Sequence, residues 1–149
     1  MPIAIRLAER RDAPQIAELS RRAIENGLPW SWTTRRVEAA IANPDINVVV
    51  AQFSGAVIGF GVMEYEDDAA HLLLFAVDAP DRRQGLGSRL LHWLEQVART
   101  AGICRFRVEA RADNAGALAF YRKHGYVESE RVPGMYFGAE DGIALSKRL

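Results

Sequence analysis

Residues 71–91 read His-Leu-Leu-Leu-Phe-Ala-Val-Asp-Ala-Pro-Asp-Arg-Arg-Gln-Gly-Leu-Gly-Ser-Arg-Leu-Leu, and this segment contains the strongest indications of the architecture of the chain. Its first seven residues form a continuous apolar run, which is typical of a central strand buried on both faces. Pro80 cannot donate to a strand ladder, so the chain must turn there. From Leu86 onward, apolar residues recur on one helical face, which predicts an amphipathic helix that ends at Gly102.

The residues before this stretch predict a strand, two helices and a hairpin. The evidence is apolar and polar alternation for the strand, capping residues followed by helical spacing, and β-branched runs on both sides of a Ser-Gly turn. In chain order the predicted elements are a strand over 3–8, a helix capped by Asp12, a helix capped by Thr33 or Thr34, and a hairpin of 47–53 and 56–63.

The residues after it predict a strand, a helix and two further strands. Over 103–110 apolar and charged residues alternate, which places Glu109 on the charged face of a strand and Cys104 on its apolar face, buried as a small hydrophobe. Asp113 or Asn114 is placed to cap the next helix, which Gly125 closes. Strand-like stretches over 126–132 and 142–149 complete the chain.

Length and composition predict one domain over residues 1–149. The chain has 149 residues, 49% of them apolar and 26% charged, which suffices for a hydrophobic core without disulfides or structural metals. One cysteine and three widely spaced histidines offer no disulfide and no metal-ligand spacing, so we expect no metal. The chain shows neither a signal peptide nor an apolar run long enough to span a bilayer, so we expect a cytoplasmic protein that does not contact the membrane.

Charge is balanced overall but unevenly distributed. The 19 basic and 19 acidic residues give zero net charge, which argues against a nucleic-acid-binding protein. Residues 37–81 hold eight acids and no lysine or arginine, whereas residues 82–123 hold nine bases and three acids. Either this is a chance distribution of solvated side chains, or one side of the protein binds an anionic ligand and the other a cationic one.

The glycine-rich turn after the apolar strand is the strongest chemical signal. In Arg82-x-x-Gly85-x-Gly87, the glycines let backbone N–H groups approach a phosphate, and the following helix directs its positive dipole end to the same place. The turn is neither a P-loop nor a dinucleotide-binding GxGxxG, because Leu90 stands where the third glycine would be. Ser88 does not lie in the GxSxG context of a hydrolase nucleophile. The glycines are either turn residues or a pyrophosphate cradle.

This pattern resembles the pyrophosphate-binding signature of the GNAT superfamily of N-acetyltransferases. A second block agrees, since Glu109-Ala-Arg-Ala-Asp-Asn114 and the Phe-Tyr-x-x-x-Gly-Tyr segment ending at Tyr126 are similar to a second conserved region of that superfamily. The resemblance implies a GNAT fold, a mixed α/β (α+β) domain with a twisted, mostly antiparallel sheet flanked by helices, and it implies acetyl-coenzyme A as cosubstrate. The contacts it implies for acetyl-coenzyme A are Phe75, Ala76, Val77, Arg82, Arg83, Gln84, Gly85, Leu86, Gly87, Ser88 and Asn114.

Within the superfamily, the chain most resembles the ribosomal-protein-alanine N-acetyltransferase group. That resemblance implies that Glu109 is the proton acceptor and Tyr121 the proton donor, and that Trp30 and Tyr136 line the acceptor groove. It also implies that a backbone N–H near Val77, where the central strand separates from its neighbour, polarises the thioester oxygen. The chain departs from the group's pattern at Ala110, Asp113 and Phe137, which puts the acceptor in doubt more than the cosubstrate.

The chemistry independently requires a base, because an amine must be neutral to attack a thioester and an α-amine has a pKa of about 7.7 to 8.0. Glu109 can serve as that base, or it can form a salt bridge with Arg107 or Arg111. Tyr121 can donate a proton to the departing thiolate, or it can only pack its ring on the sheet. His71 is more typical of a satisfied core or edge histidine than of a base.

We therefore expect an acetyl-coenzyme A-dependent N-acetyltransferase that acts on a primary amine by direct attack in a ternary complex. The acceptor is either a protein N-terminal α-amine or a small molecule such as an amino acid, a polyamine or an antibiotic. A non-catalytic acetyl-coenzyme A sensor is the alternative from another class. A homodimer is plausible, because many proteins of this type pair through strand edges or the last segment.

Overall fold

The computed structural model describes residues 3–78 and 85–149, which form seven strands and four α-helices around one sheet. The elements are β1 (Ala4–Leu7), α1 (Ala13–Ala23), α2 (Thr34–Ala42), β2 (Ile46–Phe53), β3 (Ala56–Tyr65), β4 (Ala69–Val77), α3 (Leu86–Thr100), β5 (Arg105–Arg111), α4 (Ala115–Lys123), β6 (Val127–Tyr136) and β7 (Glu140–Arg148). A short 3₁₀ turn, Arg10–Asp12, precedes α1.

The strands are arranged in the order β1-β2-β3-β4-β5-β7-β6, with the apolar run at the centre. Only β4 and β5 pair in parallel among the strands described; the other neighbours are antiparallel. This is the mixed, mostly antiparallel sheet that the resemblance implied, and the predicted order of elements is confirmed. No helix in the described ranges combines the length and apolarity that crossing a bilayer demands.

The sheet has a hydrophobic core on each face. On one face α3 contributes fully buried leucines, including Leu90 and Leu94, together with Phe106 of β5. On the other face α1 contributes Ile16 and Leu19. A Cβ at Gly61 of β3 would lie 2.7 Å from Leu94, so this glycine lets α3 approach the sheet closely.

Two of the three residues predicted to cap a helix N-terminus make the capping hydrogen bond, and the third does not. Thr33 accepts a hydrogen bond from the N–H of Arg36, and Asn114 accepts one from the N–H of Ala117. Asp12 was expected to cap α1, but its carboxylate accepts from the N–H of Glu9 at 2.7 Å and pairs with Arg6 at 2.8 Å. The reason is that the 3₁₀ turn starts the helical segment at Arg10, three residues before α1. The Asp12 carboxylate therefore bonds to residues that precede it in the chain.

The expectation for Cys104 is wrong, because its side chain is exposed. Strand pairing of β5 begins at Arg105, so Cys104 lies just outside the alternation that buries Phe106 and Val108. Its Sγ is 3.8 Å from the carbonyl oxygen of Asp68.

The parallel pair separates part-way along its length. Pairing of β4 with β5 runs from Ala69 with Arg105 to Leu72 with Val108 and ends there. Both strands continue, β4 to Val77 and β5 to Arg111. The strands therefore diverge at the centre of the sheet, as the resemblance implied.

Candidate active site

The divergence of β4 and β5 opens a cleft of about 720 Å³ at the centre of the molecule. Its walls come from the end of α1 and the loop after it, the second half of β4, the first turn of α3, the end of β5, α4 with the residues just before it, and the end of β6. The lining residues are Arg22, Ala23, Ile24, Asn26, Leu72, Leu73, Leu74, Phe75, Ala76, Val77, Gly87, Glu109, Ala110, Arg111, Asp113, Asn114, Gly116, Ala117, Phe120, Tyr121 and Tyr136.

Glu109 lies on β5 at the point where the strands have separated. The Nε2–H of His71 donates to its Oε1 at 2.9 Å. This hydrogen bond lowers the pKa of Glu109, although burial of the carboxyl acts in the opposite direction. Arg107 pairs with Glu66 and Arg111 with Glu140, so the salt bridge considered for Glu109 is replaced by a bond to a histidine.

Tyr121 reaches the same cleft from α4 and is 4% exposed. Its ring packs against Phe120 and Tyr126 at centroid distances of 5.5 and 5.6 Å. Burial raises the pKa of its hydroxyl, and the neighbouring Tyr136 adds to the effect. The group is therefore protonated at neutral pH and can donate a proton into the cleft.

Tyr136, at the end of β6, completes this part of the wall. Burial, followed by the negative charge of Glu109, raises the pKa of its hydroxyl to about 12, while Arg111 acts in the opposite direction. The structure thus brings a carboxylate and two neutral phenols from β5, α4 and β6 to one cleft.

Five residues expected to contact the cosubstrate line the cleft, namely Phe75, Ala76, Val77, Gly87 and Asn114. Gly85 precedes α3 with a left-handed φ of 71° and Leu86 is fully buried beneath the first turn. Ser88 accepts or donates a hydrogen bond with His124 at 2.9 Å. Arg82, Arg83 and Gln84 lie outside the described residues. In the part of the chain that is described, no three His, Cys, Asp or Glu side chains are grouped as metal ligands would be.

Trp30 is not among the lining residues of the cleft. It is 42% exposed, and the Arg21 guanidinium lies 5.4 Å from its ring centroid. Its role in acceptor binding stays a prediction.

Sequence reasoning missed Asn26 and the bond between His71 and Glu109. Asn26 lines the cleft and its backbone carbonyl accepts from Arg111 at 2.9 Å. The buried carboxylate of Glu25 holds this loop by accepting from the N–H and hydroxyl of Ser31. A polar residue inside an apolar strand was the available signal for His71, but nothing local indicated its partner.

Residues 13–126 match the model of the Acetyltransferase (GNAT) family. The chain belongs to this family. It is 31% identical over 141 residues to the ribosomal protein bS18 alanine N-acetyltransferase of Escherichia coli, a match that covers 93% of this chain and 92% of that protein.

Solved structures agree with the fold of this GNAT chain. The crystal structure of the ribosomal-protein-alanine N-acetyltransferase from Escherichia coli has a TM-score of 0.85 at 27% identity and covers 99% of this chain and 94% of its own. The PaiA N-acetyltransferase of Thermoplasma acidophilum, crystallised with coenzyme A, has a TM-score of 0.85 at 20% identity and covers 100% of both chains. The predicted family, fold and acyltransferase class are confirmed.

Proposed function

We propose that this GNAT enzyme transfers the acetyl group of acetyl-coenzyme A to the α-amine of a protein N-terminus, with Glu109 as base and Tyr121 as acid. The observation that carries the proposal is that both side chains line one cleft, at the place where β4 and β5 separate. The similarity to an enzyme named for acetylating a ribosomal-protein alanine, over nearly the whole length of both chains, supports the α-amine as acceptor.

The cleft suits acetyl-coenzyme A. Its volume of about 720 Å³ falls in the range of small-molecule and cofactor sites. Gly87, in the first turn of α3, lines it, and the dipole of this 15-residue helix favours an anion at that end. Phe75, Ala76 and Val77 would hold the thioester arm along β4, and Asn114 would meet it from α4. The cosubstrate supplies the thioester that the amine attacks.

Glu109 prepares the acceptor. Its lowered pKa keeps it a carboxylate at neutral pH, so it attracts the α-ammonium and accepts its proton. An α-ammonium with a pKa of about 7.7 to 8.0 gives up this proton much more readily than a lysine side chain does. The neutral amine then attacks the thioester carbonyl carbon while both substrates are bound.

Tyr121 completes the transfer by donating its hydroxyl proton to the departing thiolate sulfur. Its raised pKa keeps the hydroxyl protonated at neutral pH, so the proton is present when the thiolate departs. The products are the acetylated amine and the free thiol of coenzyme A.

The test is thiol release from acetyl-coenzyme A with peptides that begin with Ala or Ser, compared with a panel of small amines. We expect turnover on the peptides, and a fall in kcat of about 10² to 10⁴-fold in both Glu109→Gln and Tyr121→Phe. Glu130→Gln and Tyr65→Phe are matched controls outside the cleft, and we expect wild-type kcat from both. Turnover only on small amines would overturn the acceptor, and tight coenzyme A binding without any turnover would favour a sensor.

A further inference from the structure

Arg111 is the last residue of β5 and lines the cleft two positions after Glu109, on the same face of the strand. Its Nη1–H donates to the backbone carbonyl oxygen of Asn26 at 2.9 Å, in the loop over residues 24–33 that follows α1. Its Nη2 lies 3.4 Å from a carboxylate oxygen of Glu140, the first residue of β7. Its Nε is buried without a hydrogen bond, 3.8 Å from a carboxylate oxygen of Asp113. One guanidinium therefore joins two segments that are far apart in the chain.

The surroundings of Arg111 make this junction stronger than an ordinary surface contact. Its side chain is 17% exposed, so salt and water screen its contacts less than those of a fully exposed pair. The rigid fork of a guanidinium directs two N–H groups at different partners at once, which the single ammonium of a lysine cannot match. Within the described part of the chain, the hydrogen bonds between the loop over 24–33 and β5 are the two from Arg111 to Asn26, at 2.9 and 3.3 Å. Removing the guanidinium therefore releases the loop from β5.

The same loop has an internal anchor beside this contact. Glu25 is 5% exposed, and its carboxylate accepts from the N–H of Ser31 at 2.8 Å and from the N–H of Trp32 at 3.3 Å. These bonds stay in place when Arg111 is changed, so the loop keeps its own shape. Arg111 fixes that shape relative to β5, and we expect its loss to move the loop without unfolding it.

The position of Arg111 corresponds to the part of the acceptor beyond its amine. The residues assigned to acetyl-coenzyme A lie on β4, α3 and α4, so Asn26 and Tyr136 border the space that remains in the cleft. Tyr136 pairs with Glu140 in the ladder of β6 and β7, so holding Glu140 also holds Tyr136. Positions 109 and 111 lie roughly 6 to 7 Å apart along the strand, and successive Cα atoms of a peptide are about 3.8 Å apart. A peptide that follows β5 with its amine at Glu109 therefore has its second residue near Arg111.

We propose that Arg111 positions the acceptor by holding the loop over 24–33 and the start of β7 as fixed walls around the second residue of an acceptor peptide. This inference rests on the proposed function, because it places the amine of a peptide at Glu109. Arg111 acts through Asn26 and Glu140 and is a positioning residue. Its loss weakens the use of peptide acceptors, affects an amino-acid amide less, and leaves coenzyme A binding unchanged.

The experiment compares Arg111→Met with wild type for thiol release from acetyl-coenzyme A, with a tetrapeptide that begins with Ala and with alaninamide, which has no second residue. We expect kcat/KM for the tetrapeptide to fall about tenfold to hundredfold, chiefly through KM, since hydrogen bonds of a charged group are lost. For alaninamide we expect a fall of less than about threefold, and calorimetry should give a Kd for coenzyme A within about twofold of wild type. Amide hydrogen exchange over residues 24–33 should be faster in the variant.

Two further variants separate this role from a general effect of charge or folding. Arg105→Met removes a charge from the same strand at an exposed position that does not line the cleft, so we expect wild-type values from it. Arg111→Lys keeps the charge but cannot contact Asn26 and Glu140 together, so its KM for the tetrapeptide should lie between those of wild type and Arg111→Met. Arg111→Lys carries the test if Arg111→Met does not fold.

The outcomes distinguish this inference from the proposed function. If the Arg111 variants keep the wild-type KM for the tetrapeptide, or if tetrapeptide and alaninamide lose activity equally, the role of Arg111 is overturned and the proposed function stands. A loss of coenzyme A affinity as large as the loss for the tetrapeptide would also overturn it. If wild type acetylates no peptide, the proposed function is overturned together with this inference.

Discussion

At the scale of single residues, the ionisation of Glu109 depends on one partner. His71 is 14% exposed at its side chain and hydrogen-bonds the carboxylate directly. This bond is the largest cause that lowers the pKa of Glu109, and burial is the largest that raises it. Removing His71 leaves burial as the dominant influence, so the pKa of Glu109 must rise.

We predict that His71→Leu shifts the acid limb of kcat/KM to higher pH. A carboxylate base is active above its pKa and is lost as pH falls through it, so a higher pKa removes the base at less acidic pH. The measurement is the ratio of variant to wild-type kcat/KM from pH 5 to pH 8, and we expect the ratio to fall as pH decreases. Both proteins use the same acceptor, so its own ionisation cancels in the ratio.

His92→Leu is the matched control, since His92 is exposed on α3 and is not among the residues that line the cleft. Its ratio should be constant across the same range. A constant ratio for His71→Leu as well would show that His71 does not govern the ionisation of Glu109.

At the scale of elements, the end of β6 carries Tyr136 into the cleft, and two glycines flank this residue, Gly134 within β6 and Gly138 in the turn to β7. Gly134 has a φ of 65°, and a Cβ there would lie 3.1 Å from the Cα of Gly138. Gly138 has a φ of 71°, but a Cβ there would meet nothing within 4 Å. Both positions are in the left-handed region, which costs a residue with a Cβ about 1 to 2 kcal/mol.

We predict that Gly134→Ala destabilises the protein more than Gly138→Ala does. The two variants share the backbone strain, and only the first also pushes against backbone atoms that cannot rotate away. Urea unfolding measures the difference in free energy, and steady-state kinetics should show a higher KM for the acceptor in Gly134→Ala because Tyr136 lies between the two glycines. Equal free energies of unfolding for the two variants would contradict a destabilising contact between a Cβ at Gly134 and the backbone of Gly138.

At the scale of the whole molecule, one buried polar cluster joins α3, β7 and Tyr126, the residue before β6. The carboxylate of Glu95, 4% exposed, accepts from the hydroxyl of Tyr126 at 2.6 Å and from Lys147 at 3.1 Å. The ammonium of Lys147 also lies 5.5 Å from the ring centroid of Tyr126. The cluster fixes the position of Tyr126, whose ring packs on Tyr121.

We predict that Lys147→Met lowers the free energy of unfolding by about 3 to 5 kcal/mol, because it leaves a buried carboxylate without its cation. Adding Glu95→Gln removes the uncompensated charge while an acceptor remains for Tyr126, so the double variant should be more stable than Lys147→Met alone. Chemical denaturation of the wild type, both single variants and the double variant gives the coupling. If the effects of the two substitutions on the free energy of unfolding are additive, the ion pair of Lys147 and Glu95 contributes little to stability.

The fold was predictable because its determinants are local. The pattern of apolar residues indicated α3 and β4, and the Ser54-Gly55 turn indicated the hairpin of β2 and β3. Thr33 and Asn114 cap helices as predicted. A capping side chain meets a backbone N–H a few residues away, so the residue type and its neighbours suffice. Cys104 shows the limit of this reasoning, since a strand's first paired residue depends on its neighbouring strand.

The order of elements, the central strand, the family and the candidate pair Glu109 and Tyr121 could all be inferred from the amino-acid sequence. The end of β4–β5 pairing after Leu72 and Val108, which opens the cleft between the two strands, is visible only in the folded chain. The same holds for the hydrogen bonds of His71 with Glu109 and of Ser88 with His124, 38 and 36 residues apart in the chain. The physical reason is that propensity and capping act between neighbours in sequence, whereas strand pairing and packing set which distant side chains meet.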